Sequence, residues 1–266
     1  MQDTTTLAQL LKTSHLGDVL LAMLEKVKKF PQDTGARETL FKMYCADGQW
    51  SKALTQLQTL GVIDNERSKQ IELFKNLVFS EMLRVQVLSG ERKAGMLHEG
   101  DAPEWMSKLH KANLASHKGN TDESEALREE AFDLAPMSGG TGETSGQFEW
   151  IADSDGRLGP ICEFISAGGY RWVPYADIQS MEISQPKDLL DLIWAPAHIK
   201  VNDQVYYGFI PSRYPVSEAA EQEIKLGYKT EWNQLSPLLS VGSGRKVLIT
   251  DQNEYSLFET GNITFG

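Results

Sequence analysis

The apolar residues of this chain change period at Pro136, and that change constrains the fold more than any other feature. Before it they recur three or four positions apart, in Val19, Met23 and Val27, in Leu40 and Tyr44, in Ala53, Leu57 and Leu60, and in Ile71, Phe74, Val78, Met82 and Val85. Such spacing lines one face of an α-helix. After it come short runs bounded by proline and glycine, at 148–151, 170–173, 178–183, 205–210, 247–250 and 255–258. Seven of the ten prolines lie beyond residue 146. A ring without an N–H breaks helices and tolerates only strand ends and edges, so this half predicts a twisted, partly antiparallel sheet. Two helical turns are expected inside it, near 186–193 and 217–226.

The fold class that follows is α+β in two domains: an all-helical domain over 1–136 and a β-rich α+β domain over 147–266. The stretch PMSGGTGETSG between them holds four glycines in eleven residues and no periodic apolar face. Residues 137–146 therefore read as a linker or an exposed loop. Helix stops fall at Pro31, Gly48, Gly61 and Gly90, and the spacing of Asp101 to Glu104 and of Asp122 to Glu125 predicts two capping boxes. Leu40, Tyr44, Gly48, Trp50, Ala53 and Leu57 reproduce the middle of a tetratricopeptide (TPR) unit, with an irregular helical bundle as the alternative.

Charge excludes two classes of partner. Residues 1–138 carry 17 Lys+Arg against 20 Asp+Glu, and residues 139–266 carry 9 against 17. Nucleic acid and anionic lipid both call for a basic stripe, which neither half supplies. No apolar run approaches the ~20 residues that span a bilayer, and the start MQDTTT lacks a basic leader, so a cytoplasmic location is expected. The two cysteines, Cys45 and Cys162, are too few for a disulfide framework or a cysteine zinc site and read as buried thiols.

The chemical candidates are few. Asp153-Ser-Asp155-Gly156 begins like a calcium loop, but Arg157 occupies the next ligand position and the glycine comes too early. Asp153, Asp155 and Arg157 read instead as a structural turn, with the carboxylates accepting backbone N–H groups and Arg157 paired to one of them. A metal-dependent phosphoesterase using Asp153 and Asp155 is the enzymatic alternative. His110 and His117 stand seven apart on a helix, too far to chelate, and read as solvated or capping groups. Val241-Gly-Ser-Gly-Arg-Lys246 lacks the spacing of a phosphate loop and reads as a hairpin turn. Trp150, Trp172, Trp194 and Trp232 read as core rings, with an aromatic recognition groove as the lesser alternative. No catalytic residue, metal ligand or cofactor site is assigned.

Longer strings carry a resemblance. Phe148-Glu-Trp-Ile-Ala-Asp-Ser-Asp-Gly-Arg-Leu-Gly-Pro160, Tyr170-Arg-Trp-Val-Pro174, Asp191-Leu-Ile-Trp-Ala-Pro-Ala197, Pro211-Ser-Arg-Tyr-Pro215 and Thr230-Glu-Trp232 resemble the C-terminal signature of the ImpE/SciE/TagJ family, accessory components of bacterial type VI secretion. Gly48-Gln-Trp50, Ala53-Leu54 and Pro103-Glu-Trp105 follow more loosely and in order. Val216 departs from the pattern, which has glycine there, and the stretch 90–102 is more charged than the family's. The resemblance implies a non-enzymatic adaptor: a TPR-like domain joined to an α+β domain, bound to the N-terminal helix of the small sheath subunit and through it to the AAA+ ATPase that dismantles contracted sheath. A general TPR peptide-binding adaptor is the alternative.

For the partner site, a TPR-like hairpin over 34–61 would expose Glu38, Lys42 and Cys45, spaced four and three apart on one helical face. That stripe is expected to meet the partner helix unless the α+β domain packs over it. The face around Arg213 and Tyr214 is the second candidate.

Overall fold

The computed structural model describes residues 7–97 and 100–266. Seven helices come first: α1 (Leu7–Leu10), α2 (Leu16–Lys29), α3 (Thr34–Asp47), α4 (Trp50–Ile63), α5 (Ser68–Leu88), α6 (Glu104–His117) and α7 (Thr121–Leu134). Consecutive helices from α2 to α5 pack as hairpins, and α6 pairs with α7. Gly48 closes α3 in the left-handed region (φ 78°), where its N–H and that of Gln49 take up carbonyls of the last turn. Asp33 caps the start of α3 by accepting the Ala36 N–H at 2.8 Å. Neither expected capping box forms: the N-caps are Pro103 and Asn120, without side-chain caps. Glu125 is drawn across to the second half of the chain, where it accepts from the Leu238 N–H at 3.1 Å.

Fourteen strands follow: β1 (Gly140–Gly142), β2 (Gly146–Phe148), β3 (Ile151–Asp153), β4 (Ile161–Ser166), β5 (Gly169–Pro174), β6 (Ile178–Ile183), β7 (Trp194–Val201), β8 (Gln204–Pro211), β9 (Arg213–Tyr214), β10 (Thr230–Ser236), β11 (Leu239–Arg245), β12 (Val247–Thr250), β13 (Glu254–Ser256) and β14 (Ile263–Phe265). Eight of them form one sheet in the order β2-β1-β14-β6-β7-β8-β4-β5, and two three-stranded sheets, β10-β11-β9 and β13-β12-β3, lie beside it. A 3-10 turn (Leu189–Leu192) and the short helix α8 (Gln222–Lys225) interrupt the strands. The fold is mixed α+β, helices first.

The glycine-rich segment is not a linker. Residues 140–142 pair with both β2 and β14, and the Ser138 hydroxyl donates to the Ile151 carbonyl. A Cβ on Gly140 would stand 2.6 Å from the Thr264 carbonyl, so glycine here permits close strand approach. Strand β7 carries Pro196 in mid-strand, between two neighbours. Its carbonyl accepts the Ser184 N–H one residue past the last β6–β7 pair, Ile183↔Ala197, so the missing N–H faces the end of β6, where the ladder has stopped.

Two cores result. One fills a face of the large sheet with residues such as Phe164, Met181, Ile199 and Leu248. The other runs without a break from the helices (Leu40, Phe41, Val78) into the opposite side of the strands (Ile161, Ile165, Trp172, Trp194). Helices and sheet are therefore joined by shared apolar burial. Among the described residues no helix is long and apolar enough to cross a membrane.

Candidate functional site

The turn after β3 is the hub of a buried polar network. Asp153 Oδ1 accepts the Asp155 N–H at 3.0 Å and the Tyr214 hydroxyl at 2.7 Å, and its Oδ2 takes Lys246 Nζ. Asp155 Oδ1 accepts the Arg157 N–H and Nε–H, both at 2.9 Å, and its Oδ2 accepts Arg157 Nη2 and the Gly242 N–H. Both carboxylates are buried and their oxygens are engaged by donors of this chain. The donor set does not suit a metal ion, because a cation would have to displace Lys246 or Arg157 from fully buried partners.

The network extends into α5. Lys246 Nζ also reaches Glu163 Oε2 at 2.7 Å, and Arg84 grips the same Glu163 carboxylate with two N–H groups, at 2.6 and 2.7 Å. Tyr170 donates to Glu163 Oε1 and accepts the Trp172 indole N–H, while Trp194 donates to Glu81. Burial opposes the Glu163 charge, but Arg84 and Lys246 outweigh it and hold this carboxyl far below the ordinary range. Asp153 goes the other way: burial raises it, and Lys246 offsets only part of the rise. Burial also opposes the Lys246 ammonium, yet Asp153 and Glu163 lift its pKa above the usual lysine value. Sequence reading missed this network. The stretch 241–246, expected as a hairpin turn, is strand β11 running into Lys246, and a Cβ on Gly242 would strike the Tyr214 ring at 2.3 Å.

The expected partner stripe is part-buried: Glu38 and Lys42 are half-covered and only Cys45 is enclosed. Cys45 is fully buried, with its thiol pushed well up by burial. Lys42 pairs with Asp188 at 2.7 Å, and Glu38 accepts from Arg67 at 2.8 Å. Arg213 is buried too and donates to the Ala46 and Cys45 carbonyls at 2.7 Å each, closing the last turn of α3 from the sheet side. Burial lowers the Arg213 pKa to about 10, since its direct partners are carbonyls. Tyr214 packs its ring against Trp232, with centroids 5.4 Å apart. Cys45, Arg213 and Tyr214 are thus corrected from exposed candidates to buried residues, the first two in the seam between helices and sheet and Tyr214 among the strands. The reason is that the turn 189–192 and strand β9 dock on the C-terminal half of α3.

An open apolar surface exists elsewhere. The end of α7, strand β3 and the β10–β11 hairpin enclose a cleft of about 530 Å³, whose apolar walls include Phe132, Met137, Trp150, Ile151, Leu238 and Ile249. Met137 is 67% exposed, and Trp150 and Leu238 are exposed as well, so the cleft presents large apolar groups to solvent. Its charged lining is Glu254 and the already paired Asp153, with no Lys or Arg. Phe132 is fixed by the turn below it: a Cβ on Gly159 (φ 53°) would meet its ring at 2.6 Å. Trp150, read from sequence as a core ring, is the residue that sequence could have flagged through the recognition-groove alternative.

Comparison with known proteins bears on this architecture. The family model described as "ImpE protein" matches residues 145–264. The type VI secretion system accessory component TagJ of Pseudomonas aeruginosa is 34% identical over 260 residues, covering 97% of this chain and 90% of that protein. The chain belongs to the ImpE/TagJ family. It is therefore an accessory protein of type VI secretion. A Vibrio parahaemolyticus protein of known crystal structure superposes with a TM-score of 0.86 at 24% identity, covering 97% of this chain and 94% of the other, which supports the fold of the ImpE/TagJ chain.

Proposed function

We propose that this protein is a non-enzymatic cytoplasmic adaptor of the secretion machine. It docks the N-terminal helix of the small contractile-sheath subunit and links it to the AAA+ ATPase that dismantles contracted sheath. The observation that carries the reading is the apolar cleft beside Trp150, set in a half of the chain with 17 acidic and 9 basic residues. An amphipathic helix suits such a cleft, with apolar anchors against Met137, Trp150 and Leu238 and basic flanks toward Glu254. The walls are held by the shared core and the buried network, so the cleft is shaped before the partner arrives, which limits the ordering cost of binding. The engaged oxygens of Asp153 and Asp155 support a role without metal chemistry.

The test is a titration of the labelled sheath helix against the full chain and against the exposed-residue variants Met137→Asp and Trp150→Asp. Affinity should fall roughly tenfold or more in each, as expected for central apolar anchors. Equal affinities would remove the cleft as the docking site. For the link, the tagged chain should capture the ATPase together with the sheath subunit, and capture of neither protein counts against the adaptor role.

A further inference from the structure

The segment that leaves α5 runs along the edge strand β5 before entering α6. Gly95 pairs in parallel with Arg171, and its carbonyl accepts the Trp172 N–H at 3.0 Å. The approach is close, since a Cβ on Gly95 would stand 3.2 Å from the Tyr170 carbonyl and would push the Arg171 guanidinium aside. This pinned segment and the first turns of α6 enclose a cavity of about 300 Å³ that shares no residue with the cleft beside Trp150.

Its described lining carries one sign of charge. Met96, Met106 and the buried Trp172 supply an apolar floor, and among the described residues the ionisable groups are Lys93, Lys111 and His110, with no Asp or Glu. Both lysines are exposed, and among the described residues neither has a carboxylate in ion-pair range, in a chain of net charge −11. His110 is half-buried, and its Nδ1 is fully enclosed without a hydrogen-bond partner. A buried ring nitrogen left unpaired is costly, and a water or an ion at its side is one way such an atom is satisfied. Helix α6 also starts here without a side-chain cap, leaving first-turn N–H groups that favour negative charge.

We propose that this cavity binds the carboxylate of a small apolar ligand, with Lys93 and Lys111 taking the charge beside His110, and Met96, Met106 and Trp172 taking the hydrocarbon. The volume suits one or two amino-acid residues. Two sources share this chemistry, the free C-terminus of a peptide ending in an apolar residue and a small organic acid. The positive charge of the described lining favours a carboxylate over an amine.

The experiment follows the histidine ring protons of the full chain by NMR during titration with N-acetyl-leucyl-methionine, with its C-terminal amide and with hexanoate. The acid should bind roughly tenfold or more tightly than the amide, and Lys93→Glu with Lys111→Glu should abolish the difference. Burial and Lys93 hold the His110 pKa below its ordinary value, so a bound carboxylate should raise it. Tighter binding of the peptide assigns the site to protein C-termini, and tighter binding of hexanoate assigns it to organic acids. Equal binding of acid and amide overturns the proposal, as does binding of none of the three or binding unchanged by the double reversal. Both lysines are exposed, so a folded variant is expected, and circular dichroism checks it.

Discussion

Arg84 of α5 and Glu163 of β4 face each other through two parallel hydrogen bonds, with side chains 1% and 0% exposed. This pair ties the helical part to the sheet where water does not screen it. Replacing Glu163 by Gln leaves Arg84 and Lys246 short of countercharge in a dry site, and should cost about 3–5 kcal/mol. Denaturant unfolding measures it. The double variant Arg84→Met, Glu163→Met should lose less than the sum of the singles, because neither member of the pair is left facing a missing partner. Strict additivity would show that the two residues do not act as a pair.

The same residues set the response to pH. Glu163 is depressed in the folded state, so its contribution is complete above the unfolded value of about 4.3 and is lost as pH falls toward the folded pKa. Asp153, raised by burial, acts in the opposite sense and softens the acid limb. Lys246 is raised, so its contribution holds below about 10.4 and fades as pH climbs through the folded pKa. Stability measured from pH 7 downward should fall more steeply in the wild type than in Glu163→Gln below about pH 5. Parallel curves would contradict the assignment of acid sensitivity to Glu163.

Much of the fold was legible because local rules and tertiary context agree in it. The three-to-four spacing marks α2 to α5, and the runs at 178–183 and 247–250 coincide with β6 and β12. Failures have physical causes. Strand β7 was hidden by Pro196, whose missing N–H does no harm past the end of β6. The segment 137–146 is ambiguous in sequence because glycine signals both freedom and close approach, and only the partner strand tells which. On α5 the periodic stripe includes Met82 and Val85, which are exposed, while Glu81 and Arg84 point inward. A polar inner face is invisible to a hydrophobic period, since its partners Glu163 and Trp194 lie far away in sequence. The burial of Cys45 was hidden for the same reason: nothing local announces that Arg213 of β9 closes the last turn of α3.

The turn at 153–157 should be indifferent to metals. Millimolar calcium, magnesium or manganese should leave the melting temperature unchanged, whereas a tight site would raise it by mass action. Asp155→Ala should cost about 1–3 kcal/mol, through the stranded Arg157 and the unmet Gly242 N–H. A divalent ion held stoichiometrically and lost in that variant would refute the structural reading.

Arg213 tests the seam. Arg213→Met removes donors from the Cys45 and Ala46 carbonyls and should destabilise the chain by about 1–3 kcal/mol. Amide hydrogen exchange should quicken at the end of α3 in the same variant. A stable variant with unchanged protection would mean that α3 is closed without help from the sheet.

The docking claim meets its most direct test in hydrogen exchange of the full chain with and without the sheath helix. Protection should appear around 132–138, 149–154 and 234–240, the walls of the cleft beside Trp150, and α3 should be unaffected. Protection confined to the helices α2 to α4, or none at saturating helix, would contradict the account.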